Sequence, residues 1–428
     1  MTWNRRYQVK SYLRSSLWVI PLVALPLQQV AWALARTLDT RFAWKGLALG
    51  VTGAQAMFNA VITLALSFIV FTFGSLLVAI QVASGQYTPR IIATTLLRDN
   101  VIRCTAGLFV FTLLFAIKAA DRTETTVHQL VAFVVGLLGL ICIVAFLFLI
   151  DYAARMLRPV SLVGRVGKYG LEVIESVYPE QSLEAKCIAG SRQSPGPVER
   201  TILHRGKSAI VVAVNVETLV AEAEKAKGVI EFAPQVGDFV GSAEPLFLLH
   251  DGADAIDERK LRASVVLGDE RTMVQDPLFG FRILVDIAIK ALSKAINDPT
   301  TAVLAIDQLH RLLRSAGRRN LRTDQILDRA GKLRVIFRTP NWEDFVHLAF
   351  SEIRFYGAEN MQIARRLRAM IVNLTDTLPA QRHSALRKEL ELLDRTIEKL
   401  YVLPEDLKLA GIPDLQGLGG SSRSAELS

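Results

Sequence analysis

Five polar residues in the C-terminal half are spaced to do chemistry together: Asp276, Arg282, Asp286, Asn297 and Asp298. Asp276-Pro277 and Asp298-Pro299 each read as a helix start, with aspartate as the cap and proline in the first position. A helix over 277–296 carries Arg282, Asp286 and Lys290 at four-residue steps, and Ser293 and Asn297 continue the row. Two readings follow. In one, the row is a solvated ladder whose pairs contribute about 0.2–0.5 kcal/mol each. In the other, Asp286 is buried against Arg282, and the five residues bracket a polar pocket beside two helix N-termini, which receive anions. The capping aspartates oppose a strong negative charge there. The apolar positions Leu278, Phe281, Val285, Ala288, Ile289, Leu292 and Ile296 cover more than half of this helix and favour the buried pair. Removing Asp286 from such a pair costs about 3–5 kcal/mol, because a buried cation is stranded.

A second set lies in an apolar run. No charged residue occurs from Ala54 to Ala83, a length that spans roughly 45 Å as a helix, whereas a bilayer core needs only about 20 residues. Asn59, Thr63, Ser67, Gly74, Val78 and Gln81 recur within it at steps of mostly three, four and seven. A polar stripe in lipid must face protein or water. It serves either close helix packing through small residues or a pore.

Other chemistries lack their residues. The histidines at 128, 204, 250, 310, 347 and 383 form no HExxH or other ligand spacing, and there is no GxSxG. His204-Arg205-Gly206-Lys207-Ser208 resembles the end of a phosphate loop, but Thr201 stands where the first glycine belongs and a strand-like AIVVAV follows in place of a helix. The hairpins over 228–249 have the cadence of biotinyl and lipoyl carriers without a lysine at the tip. Cys104, Cys142 and Cys187 form no CxxC pair. The expectation is no metal, no cofactor and no catalytic centre.

The elements that position these residues begin in the membrane. The chain has 428 residues and a mean hydropathy of +0.31. Residues 1–154 hold 12 Lys+Arg against 5 Asp+Glu, and the remainder holds 38 against 36. The basic excess therefore belongs to the membrane half, which argues against nucleic-acid binding. A polar arm, 1–16, precedes four spans at about 17–35, 54–84, 101–119 and 127–153, and Trp18, Trp32 and Trp44 lie near their interfaces. Eleven basic residues flank the N-terminal arm, the 85–103 link and the 155–168 stretch, against five on the opposite links. That asymmetry places both termini in the cytoplasm of a bacterial inner membrane. Within the 85–103 link, Tyr87, Pro89 and Arg90 begin either a short surface helix or an elbow.

Beyond the spans, residues 155–250 read as a linker helix (162–177) and a β-rich subdomain. Its strands fall near 201–204, 209–214, 229–232 and 246–249, with a helix at 217–227, and it is expected to form a small β-sandwich or barrel. Residues 251–416 read as a helical subdomain with helices at 277–296, 299–315, 342–375 and 380–400 and one strand at 333–338. A Gly/Ser tail from 417 is expected to be disordered.

The chain resembles a family of bacterial predicted membrane proteins, domain of unknown function 2254. The resemblance runs over nearly the whole chain and rests on three stretches: Gln81-Val-Ala-Ser-Gly-Gln-Tyr87-Thr-Pro89-Arg90, Gly237-Asp238-Phe239-Val240, and Asp276-Pro-Leu-Phe-Gly-Phe to Asn297-Asp-Pro-Thr-Thr-Ala. The last is the most specific. Departures are Thr88, where serine is usual, and Lys294, where proline is. The resemblance implies four spans and carries no activity with it. The expected fold is thus an α-helical four-span membrane domain with a cytosolic α+β domain. The expected function is an oligomeric, channel-like or transport-related protein in the lipid bilayer, a homo-oligomer gated or assembled by its cytosolic domain. The alternative is a membrane-anchored sensor or scaffold without a pore, and a membrane enzyme is the third reading.

Overall fold

The computed structural model describes residues 2–16, 18–42, 46, 48–86, 99–124, 126–156, 158–179, 193–321 and 324–420. The chain divides into two compact units, one formed from most of residues 11–161, the other from residues 1–10 and 162 onward.

After α1 (Trp3–Ser15), the first unit contains α2 (Val19–Phe42), α3 (Val51–Gln86), α4 (Asn100–Asp121) and α5 (Gln129–Met156). All four of these are long and apolar enough to cross a membrane. Polar residues fix their ends. Asp99 caps α4 by accepting from the Val101 amide at 2.9 Å. Asp39 accepts from the Leu130 amide at 2.8 Å. Gln129 grips Leu49 twice, accepting from its amide and donating to its carbonyl. Between these ends the core is apolar, with Trp32 edge-on to Phe115 and Phe58, Val61, Val131 and Val135 around them. Small residues let the backbones approach, as membrane helices require. A Cβ on Gly139 would lie 2.9 Å from Val61, and one on Gly107 would lie 2.7 Å from Ile20.

The second unit holds α6 (Pro159–Val177), then β1 (Val198–Leu203), β2 (Ala209–Val214), α7 (Val216–Ala226), β3 (Val229–Phe232), β4 (Phe239–Val240), β5 (Pro245–His250), α8 (Glu258–Ala263) and β6 (Val265–Gly268). Further on come α9 (Pro277–Ala291), α10 (Pro299–Gly317), β7 (Gln325–Leu327), β8 (Leu333–Phe337), α11 (Trp342–Gly357), α12 (Met361–Thr377), α13 (His383–Leu400) and α14 (Pro404–Ala410). A five-stranded sheet has the order β1-β5-β3-β8-β7, and a three-stranded sheet the order β4-β2-β6. The expected β-sandwich or barrel is not what forms. Strand β8 comes from far downstream and pairs in parallel with β3, and α7 contributes Leu219 and Ala223 to the same core as Ile230, Phe232, Phe247 and Val335. The sheets draw strands from both sides of the boundary expected at residue 250. The first residues of the chain join this unit as well: Trp3 and Tyr7, their rings tilted at 33° with centroids 5.5 Å apart, pack on Val212, Ala213 and Val266.

In the helical part α9 is buried nearly all round, and α10 and α11 pack against it. It ends at Ala291 rather than near 296. Asn297 takes a left-handed φ of 47°, and the Asp298 amide turns back to donate to the Ala291 carbonyl at 2.8 Å. The long helix expected over 342–375 is two helices, because Asn360 caps α12 by accepting from the amides of Gln362 and Ile363. Residues 417–420, where a disordered tail was expected to begin, are held to α12. The fully buried Arg365 donates to the carbonyls of Ile412, Gly419 and Gly420 at 3.0, 3.1 and 2.8 Å.

Candidate functional site

The polar stripe of α3 faces away from its own bundle. Ala54, Phe58, Val61, Ala65, Thr72, Leu76 and Ala83 are buried, whereas Asn59, Thr63, Ser67, Gly74, Val78 and Gln81 are exposed. At about 100° per residue these two sets fall on opposite sides of the helix. Packing within the bundle is therefore not the role of the stripe. Thr63 and Ser67 satisfy their hydroxyls by donating to the carbonyls of Asn59 and Thr63, at 2.9 and 2.8 Å. The link residues Tyr87, Pro89 and Arg90, and the short helix expected there, lie outside the described residues.

In the second unit the five polar residues do not converge. Asp276 caps the start of α9, accepting from the Phe279 amide at 3.1 Å. Asp298 caps α10 beyond the other end of α9, accepting from the Thr301 amide at 3.0 Å. The fifteen residues of α9 separate these points by roughly 22 Å. Arg282 and Asp286 do meet, the Arg282 Nε donating to Asp286 at 2.6 Å. Glu352 on α11, which the sequence did not single out, takes both terminal nitrogens of the same guanidinium. Burial lies between the two expected cases, since the side chains of Arg282, Asp286 and Glu352 are 25 %, 20 % and 45 % exposed. The Glu352 hydrogen bond, joined by that from Asp286, holds the Arg282 guanidinium protonated well above its ordinary range. Arg282 in turn holds the Glu352 carboxyl below its own.

Asp276 has a second role that its cap position did not reveal. Its carboxylate is 97 % shielded, at 3 % relative exposure, and the oxygen not used in capping has no hydrogen bond among the described residues. That oxygen lies 3.9 Å from Arg271. A Cβ on Gly237, whose φ is +93°, would stand 2.4 Å from it. The turn at 235–238 is therefore folded down onto the start of α9. It is fixed by Gly237 donating to the Val211 carbonyl at 2.8 Å and by the Asp238 side chain accepting from the Gln235 amide at 2.9 Å.

The family described as predicted membrane protein (DUF2254) matches residues 14–373. The chain belongs to this family. Two relatives within reach of the whole chain are uncharacterized proteins of Mycobacterium tuberculosis (strain H37Rv) and Mycobacterium bovis. Each is 25 % identical over 448 residues, covering 99 % of this chain and 83 % of the relative. No solved structure matches the chain. Two of the stretches that carry the DUF2254 resemblance, Gly237-Asp238 and Asp276-Pro277, thus meet at one buried carboxylate. No group of three or more metal-ligating side chains occurs among the described residues.

Burial pushes the Asp276 carboxyl up from 3.8 to about 6, against the opposing pull of Arg271 and of the capped amides. Between these two values the folded protein binds more protons than the unfolded chain, so stability falls as pH rises from about 4 to about 6 and stays lower above that. A shift of this size corresponds to about 3 kcal/mol. Asparagine caps as well as aspartate and carries no charge. Asp276→Asn is therefore expected to raise stability by about 2–3 kcal/mol at pH 8 and to flatten the loss between pH 4 and 6. Thermal unfolding of the full chain in mild detergent, scanned over pH, measures both; an equal pH slope in wild type and variant removes Asp276 from this role.

Proposed function

We propose that the protein is a homo-oligomer of the bacterial inner membrane, channel-like or transport-related, in which α3 faces another copy along a polar path. The observation that carries this reading is the side of α3 on which Asn59, Thr63 and Ser67 lie. They are exposed, opposite the buried face, and an asparagine amide facing lipid is costly, so a protein or water neighbour is favoured. The length of the apolar stretch of α3, 33 residues, adds support, since about 20 suffice to cross a bilayer. The second unit then assembles or gates the path from the cytoplasm. Two features favour a cytoplasmic side for both termini: the excess of basic residues near the arm and after α5, and the packing of Trp3 and Tyr7 on the sheet that holds Val212 and Val266, which keeps the arm and the C-terminal unit on one side.

Single cysteines at 59, 63 and 67 in a chain freed of Cys104, Cys142 and Cys187 test the reading. Crosslinks between copies together with labelling by a water-soluble thiol reagent are the expected result. Crosslinks without labelling would keep the oligomer and remove the path, leaving a scaffold. If neither occurs while a control cysteine at Asp121 is labelled, α3 faces lipid and the reading falls.

A further inference from the structure

A cavity of about 450 Å³ opens in the β-rich part of the second unit, within the size range of small-ligand sites. Its floor is apolar, made by Leu246 of β5 and by Val265 and Leu267 of β6. Its rim is basic. Arg205, Arg259 and Arg262 stand around it together with the loop at His204 and Gly206. That loop is held in shape by the His204 ring, which pairs with the Lys207 carbonyl at 2.8 Å.

The charges on the rim do not balance. Glu258 is shared by three guanidinium groups: Arg200 at 3.2 Å, Arg205 at 3.3 Å and Arg262 at 2.7 Å. One carboxylate thus faces three cations, and their combined pull, that of Arg262 foremost, holds it below the ordinary carboxylate range. Arg259 is the third arginine of the lining, and Asp257, which accepts from the Arg259 amide at 2.9 Å, is its second carboxylate. The Arg259 guanidinium itself makes no ion pair or hydrogen bond among the described residues. Arg200, Arg205, Arg259 and Arg262 thus stand against Asp257 and Glu258, and a further anion relieves the excess of positive charge. Guanidinium groups take phosphate oxygens in pairs. An apolar floor under such a rim suits a molecule with a phosphate at one end and an uncharged body at the other. The sequence around His204–Ser208 failed as a phosphate loop because β2 follows it, and here the same loop borders a site built from side chains.

We propose that this cavity binds a small organic phosphate, its phosphate held by Arg205, Arg259 and Arg262 and its uncharged body resting on Leu246, Val265 and Leu267. The site lies within the second unit and stands whether or not the protein forms a path through the membrane. Two sources supply such a ligand, a soluble nucleotide or a lipid headgroup, and two probes separate them.

The experiment is calorimetric titration of the full chain in uncharged detergent with adenosine monophosphate, glycerol 3-phosphate and inorganic phosphate. At least one organic phosphate is expected to bind saturably, about tenfold or more tighter than inorganic phosphate, and to weaken as salt is raised. Tighter binding of the nucleotide points to the soluble source and tighter binding of glycerol 3-phosphate to the headgroup. The double variant R205Q/R259Q alters two exposed side chains and is expected to keep the unliganded melting temperature while weakening binding at least about tenfold. Glu258→Gln works in the opposite sense, because it removes the anion that competes for the arginines, and tighter binding is expected. Absence of saturable binding by both organic phosphates at concentrations up to roughly 10 mM overturns the proposal. So does binding that is the same in wild type and R205Q/R259Q.

Discussion

Gly237→Ala is expected to destabilise the second unit by about 3–4 kcal/mol. Two costs add. A residue with a Cβ at φ +93° is strained by about 1–2 kcal/mol. The new methyl also meets the Asp276 oxygen at 2.4 Å, and forcing a group into a filled site costs about 1–3 kcal/mol. The carboxylate has little freedom to retreat, since its other oxygen is bonded to the Phe279 amide and the side chain is enclosed. The two costs separate in a double-mutant cycle. Asp276→Ala removes the oxygen that the methyl strikes but leaves the backbone strain, so in its presence Gly237→Ala should cost about 1–2 kcal/mol. A coupling of about 1–2 kcal/mol in thermal or urea unfolding is the expected reading. Strict additivity would mean that the turn and the start of α9 do not press on one another.

The second large effect belongs to Arg282. Its replacement by methionine keeps much of the volume and removes the guanidinium that Asp286 and Glu352 share. Stranding a fully buried charge costs about 3–5 kcal/mol. The 45 % exposure of Glu352 lets that carboxylate turn to water, so about 2–3 kcal/mol is expected for Arg282→Met. Asp286→Ala is milder, about 1 kcal/mol, because Glu352 still holds the guanidinium by both terminal nitrogens. This departs from the value expected from the sequence for a two-member buried pair. Unfolding of the two variants under one condition gives the order, and a loss in Asp286→Ala equal to or above that in Arg282→Met would remove Glu352 from the arrangement.

What the sequence made legible was local. Asp276-Pro277 and Asp298-Pro299 announced two helix starts because a cap and a proline act within one turn, and both caps form. The strands at 209–214 and 229–232 lie where their alternation placed them. Four apolar helices were legible from length and composition alone. What stayed hidden was distant in the chain. Glu352 reaches Arg282 only because α11 packs on α9, and no spacing within either helix records that. Gly237 reads as a turn glycine, while its contact with Asp276 depends on how β4 and α9 come together. The parallel pairing of β8 with β3 joins segments with three helices between them, which is why a closed set of hairpins was expected over 200–250. The stripe of α3 was visible as a period, but its side of the helix became known only when the buried residues Ala54, Phe58, Val61 and Ala65 were placed.

The packing of Trp3 and Tyr7 on Val212, Ala213 and Val266 bears on how the chain is made. The arm leaves the ribosome before the strands it rests on, which follow all four apolar helices. At ordinary rates of synthesis the delay is roughly 10–40 s. For that interval the Trp–Tyr pair has no sheet to rest on. The arm can pack only once β2 and β6 have paired, so closure of the sheet that Trp3 and Tyr7 cover waits until all four apolar helices have been made.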